Sequence, residues 1–83
     1  MNEMKYVMYE DDTFIMIPQF MNHSDISMNN KPIHSAGFLM FFHEVNKFEE
    51  DIITVDCSGK SFTLNKTVDK EHDEIIINSS LRI

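Results

Sequence analysis

The sequence predicts an α+β domain over residues 1–83: a small antiparallel sheet of about five strands, one short helix after the second strand, and a C-terminal helix. Three features lead there. Short β-prone runs recur along the chain, separated by acidic, Asn-rich or Gly-containing connections. The run Phe38-Leu39-Met40-Phe41-Phe42 is apolar at odd and even positions alike, which in an antiparallel sheet requires a central strand or a strand at a subunit interface. A carboxylate-rich stretch then precedes three isoleucines near residue 75, where a helix N-terminus would welcome the negative charge.

Taken in order, Tyr6-Val7-Met8-Tyr9 and Phe14-Ile15-Met16-Ile17 are β-prone and flank Glu10-Asp11-Asp12. That pattern is a hairpin with a solvated turn, because Asp bonds its own backbone and tolerates left-handed dihedrals. Pro18 ends the second strand. Asn22-His23-Ser24-Asp25 sets a capping residue three positions before a carboxylate, with Ile26 and Met28 behind it, so a helix of about one or two turns is expected, stopped by Asn29-Asn30-Lys31-Pro32. The main strand runs from Ile33 to His43, and Glu44 to Asp51 is a polar connection carrying Val45 and Phe48. In Ile52 to Cys57, Ile53, Val55 and Cys57 alternate with polar residues. Ser58-Gly59-Lys60 turns the chain, and Phe62 and Leu64 alternate with Ser61, Thr63 and Asn65, which predicts a second hairpin. From about Asp69 to Ser80 the β-branched isoleucines compete with the acidic start, and the helix is the preferred reading.

Composition bounds the function. With 83 residues the core is thin, so association with a second copy is a cheap way to bury more area, and a homo-oligomer is expected. Fourteen acids against seven bases, a net charge of −7, argue against direct binding to nucleic acid and favour a basic or protein partner. One cysteine builds no disulfide framework, and no apolar run approaches the ~20 residues of a membrane span, so a cytosolic location is expected.

No motif dictates catalysis. Gly59-Lys60-Ser61 resembles the end of a phosphate-binding loop, but Thr54 stands where its first glycine would be and a strand follows in place of a helix. Cys57 lies on the apolar face of its strand, where cysteine is a small core residue, and none of His23, His34, His43 and His72 is marked as its base. For metal, His23 and Asp25 are the nearest pair, and one pair is not a site, so neither cofactor nor metal is expected. The clusters Glu10-Asp11-Asp12, Glu49-Glu50-Asp51 and Asp73-Glu74 are solvated faces that also steer the chain toward cations. A protein partner would be met by Glu49, Glu50 and Asp51 together with the aromatic anchors Phe41 and Phe42. The alternative, a sponge that sequesters a small nucleotide between subunits, would use His23, Asp25, Ser35, Gly37, Lys60 and Ser61.

The segments Asn22-His23-Ser24-Asp25, Ser35-Ala36-Gly37-Phe38 and Cys57-Ser58-Gly59-Lys60-Ser61-Phe62-Thr63-Leu64 resemble a set of short tailed-bacteriophage proteins that share a His-x-Asp, a Ser-Ala-Gly-Phe and a Cys-x-Gly-x-Ser segment. Thr63 stands where that set is expected to carry a second serine. The matching positions are His23, Asp25, Ser35, Gly37, Gly59 and Ser61. The resemblance brings no catalytic activity. It implies a phage accessory product, a class that blocks host enzymes or immune systems, and hence a counter-defence protein directed at a host defence protein such as a CRISPR effector.

Overall fold

The computed structural model describes residues 3–26 and 31–81. Four strands form the main sheet: β1 (Glu3–Tyr9), β2 (Phe14–Ile17), β3 (Ile33–Val45) and β4 (Asp51–Ser58), in the order β2-β1-β3-β4 and antiparallel throughout. Two short strands, β5 (Lys60–Ser61) and β6 (Lys66–Thr67), pair in a second sheet, and the helix α1 covers Lys70–Leu81.

The first hairpin closes as its acidic turn predicts. Asp11 Oδ1 accepts from Thr13 N at 3.1 Å and from Thr13 Oγ1 at 2.6 Å, and Asp12 takes a left-handed φ of 67°. β3 is central, paired to β1 from Ile33 to Met40 and to β4 from Phe38 to Val45. Strand alternation then divides the core. Tyr6, Met8, Leu39, Val55 and Cys57 point to one face, where Ile77 of α1 packs on them. Val7, Tyr9 and Ala36 point to the other, packed by Ile15, Ile33 and Leu64.

The C-terminal helix forms despite its isoleucines because its N-terminus is capped and one face is buried. Asp73 N donates to Asp69 O at 2.8 Å, Asp69 N donates to Asp73 Oδ2 at 3.1 Å, and Asp73, Ile77 and Leu81 share one face at spacings of four. Ile75 falls on the opposite face and is exposed.

Two expectations are corrected. In place of the helix after β2 there is one 3-10 turn, His23–Ile26. Asn22 N donates to the Asp25 carboxylate at 3.0 Å, so the local capping logic is realised, but so short a segment cannot offset the cost of nucleating an α-helix. Met28, Asn29 and Asn30 of that expected helix lie outside the described residues.

The second correction concerns the hairpin expected between Ile52–Cys57 and Phe62–Leu64. β4 pairs instead with β3 over eight register positions, and residues 62–65 form the turn between β5 and β6, with Asn65 at φ 53°. Both edges of β4 are taken. One carries β3. On the other, Val55 N donates to Asn78 Oδ1 at 2.9 Å and Cys57 N to Glu74 Oε2 at 2.8 Å, so α1 occupies the place a further strand would need. Gly59, at φ 81°, swings the chain out of the sheet, and Phe62 is left exposed.

Candidate functional site

The residues expected to meet a protein partner gather on the β3–β4 hairpin. Its connection, Asn46–Glu50, is built by Asn46, whose Oδ1 accepts from Phe48 N at 2.9 Å and from Glu50 N at 3.0 Å. Glu49 takes a left-handed φ of 62° at the tip. Glu49, Glu50 and Asp51 are all exposed, with Asp51 the first residue of β4 rather than a loop residue, 3.0 Å from His43 Nε2. Phe41 and Phe42 separate by strand alternation. Phe41, paired with Val55, is half-buried against the helix-side core, while Phe42 points the other way and is 45% exposed.

Around these lie apolar residues that the sequence reading did not select as contacts: Val45 (58% exposed), Phe48 (71%), Ile52 and Ile53 (51%). Val45 and Phe48 within an otherwise polar connection were the available signal. A groove of about 650 Å³ runs between the hairpin and the end of α1, lined by Asn46, Glu50, Ile52, Ile53, Asn78 and Leu81 among others. The hairpin thus carries exposed apolar side chains on both faces, interspersed in the chain with Glu44, Glu49, Glu50 and Asp51, and Lys47 is the single lysine or arginine between residues 42 and 53. Exposed apolar side chains interspersed with acids suit a contact surface.

The six residues of the nucleotide alternative do not converge. His23 is buried, its Nε2 2.8 Å from Gly37 O and its ring edge-on to Phe38 at 5.8 Å. Asp25 is exposed and bonded to Asn22. Ser35 points to the face opposite Phe38 and donates to Asp73 Oδ2 at 2.6 Å. Gly37 is required by close packing, since a Cβ there would lie 2.8 Å from Ser58 O. Lys60 sits over the Phe62 ring at 4.6 Å, and Ser61 is buried and accepts from Leu64 N at 3.3 Å.

What does converge is a polar network under α1. Asp73, expected on a solvated face, is instead fully buried, and its Oδ2 accepts from Tyr6 Oη, Ser35 Oγ and Asp69 N, while His72 Nδ1 lies 2.9 Å from its Oδ1. Burial, then the bond to Asp73, raises the Tyr6 phenol well above its usual value, so it remains a donor. Burial likewise pushes the Cys57 thiol up to about 12, which makes it a core thiol rather than a nucleophile at neutral pH.

The network continues to the surface. His72 Nε2 is 2.8 Å from Asp12 Oδ1, and His34 Nε2 is 2.7 Å from Asp69 Oδ2, with the two imidazole rings 4.6 Å apart. Hydrogen bonds to Asp73 and then Asp12 raise the His72 pKa, and the bond from His34 lowers that of Asp69. These residues come from the β1–β2 turn, the start of β3, the residue just before α1 and the first turn of α1, so sequence spacing hides them; only Asp69-x-x-His72 is a local pair. No helix among the described residues is long and apolar enough to cross a membrane. Comparison of the chain with protein-family models, with curated proteins and with solved structures finds no match.

Proposed function

We propose that this chain is a non-catalytic binding protein that docks on a basic protein surface and blocks it, working in the host cytoplasm. The partner class follows the phage-protein resemblance: a host defence protein such as a CRISPR effector, whose nucleic-acid groove has the charge that −7 would seek. The observation that carries the reading is the β3–β4 hairpin, where Phe42 and Ile52 on one face, Val45 and Ile53 on the other and Phe48 at the connection are all exposed, with Glu44, Glu49, Glu50 and Asp51 beside them in the chain. Exposed aromatic and aliphatic anchors supply affinity, and the acids supply approach and orientation.

The test is inhibition of purified CRISPR effector nucleases by the full chain. Inhibition by the wild type, weakened at least about tenfold in a Phe48→Asp/Ile53→Asp variant whose circular dichroism is unchanged, is the expected result, since hot-spot truncations cost about 2 kcal/mol or more. Inhibition untouched by that variant, or no binding to any effector of the panel, overturns it.

A further inference from the structure

We propose that His34, Asp69 and His72, with Asp12 hydrogen-bonded to His72 beside them, form a surface site for a divalent transition ion of the zinc class. One ligand atom from each of His34, Asp69 and His72 lies within 4.8 Å of the other two. Zinc bonds of about 2.0–2.1 Å in tetrahedral geometry set donor atoms roughly 3.4 Å apart, so the closing required is at most about 1.4 Å. His34 Nε2 and Asp69 Oδ2 are already nearer than that, at 2.7 Å. His34 and Asp69 are exposed side chains, free to turn inward.

The arrangement behind His72 separates this cluster from an accidental group of surface charges. A metal-bound imidazole uses one nitrogen for the ion and gives the other N–H to a fixed carboxylate, which sets its tautomer and orientation. His72 has that partner: its Nδ1 is 2.9 Å from Asp73 Oδ1. Asp73 is itself buried and held through its other oxygen by Tyr6, Ser35 and the Asp69 backbone. His72 Nε2 is thereby turned outward, 2.8 Å from the Asp12 carboxylate. The two His–Asp hydrogen bonds share protons that an ion would replace.

Electrostatics permit a cation at this place. The positive end of α1 opposes one, but Asp12, Asp69 and Asp73 bring three carboxylates against it. Two imidazoles and a carboxylate, with a water completing the set, are donors for zinc rather than for calcium or magnesium, which take oxygen alone. Bound there, the ion would tie the start of β3 to the helix N-terminus, a staple suited to a small core.

The experiment is titration of the metal-free full chain with Zn²⁺ by calorimetry and thermal melting, with Co²⁺ as a spectroscopic probe. Expected are one ion per chain, a raised melting temperature, and visible Co²⁺ bands of four-coordinate intensity. His34→Ala and Asp69→Asn should each weaken Zn²⁺ binding at least about tenfold, and His43→Ala, which breaks the separate His43–Asp51 pair, should leave it unchanged. If either variant fails to fold, ¹⁵N shifts of the His34 and His72 ring nitrogens in the wild type decide, and both must move on adding Zn²⁺. Absence of saturable binding, equal affinity in a folded His34→Ala, loss of binding in His43→Ala, or static ring shifts overturns the site.

Discussion

Asn78 Oδ1 accepts the Val55 backbone N–H at 2.9 Å, so a helical side chain performs on β4 the service a neighbouring strand would perform. Glu74 does the same for Cys57 one helical turn earlier. An uncapped edge strand recruits other chains, and these two contacts close that route where β4 passes under α1. Asn78→Ala should destabilise the fold by about 1 kcal/mol, the net value of one such bond, and increase association at high concentration. Chemical denaturation and light scattering check both effects.

Asp73→Asn tests the buried network. The amide keeps the shape but presents an N–H₂ where donors from Tyr6, Ser35 and Asp69 converge, leaving buried groups unsatisfied. A loss of about 3 kcal/mol is expected by urea denaturation. Ser35→Ala, which removes one donor and leaves the acceptor with others, should cost less.

Asp56 gives the pH dependence a definite sign. Its hydrogen bond from the Lys70 ammonium holds its carboxyl below the usual carboxylate range. Its contribution is therefore present above about pH 4, the unfolded value, and is lost as pH falls through the lower folded value. Asp56→Asn should flatten the acid limb of the stability profile, measured by melting temperature against pH, and change little near neutrality, where an exposed pair contributes weakly.

Salt dependence separates steering from anchoring at the β3–β4 tip. Converting Glu49, Glu50 and Asp51 to their amides should slow association with a basic partner and reduce its salt sensitivity, with dissociation nearly unchanged. Phe48→Asp should act in the opposite way, on dissociation. Stopped-flow or surface-binding kinetics at two ionic strengths resolve the pair, and a salt-independent on-rate for the wild type would remove the steering argument.

Self-association is expected through the sheet face that Phe42 shares with Met40 and Thr54, on the side away from α1. Light scattering across micromolar concentrations should show it, and Phe42→Asp should return the chain to a monomer without disturbing its fold.

How far the sequence carries is visible in particular residues. Asp11 and Asp12 announce the first hairpin because their chemistry is local, and the all-apolar run 38–42 announces a central strand because it needs cover on both sides. The carboxylates of residues 69–74 outweigh three isoleucines for a similarly local reason. The second hairpin fails because the decisive contacts, Asn78 and Glu74 on β4, exist only after α1 docks. The residues expected at a partner contact fall on one hairpin, where alternation separates Phe41 from Phe42, while Val45 and Ile53, on the face of Phe41, stay exposed beyond the helix-side core. The His34–Asp69–His72 cluster was illegible because tertiary packing, rather than spacing, assembles it.

The tie between Tyr6 and Asp73 spans 67 positions, which has a consequence for a chain made vectorially on the ribosome. At about 5–20 residues per second, β1 waits several seconds before its acceptor is synthesised. During that interval β1, β2 and β3 can pair, but Tyr6, Met8 and Leu39 have no helix over them, and Ser35 has no carboxylate. Commitment to the native state is therefore a late event, reached when the last element arrives and closes the polar and apolar halves of one face together. Nascent chains stalled before residue 73 are the species for which a chaperone would matter.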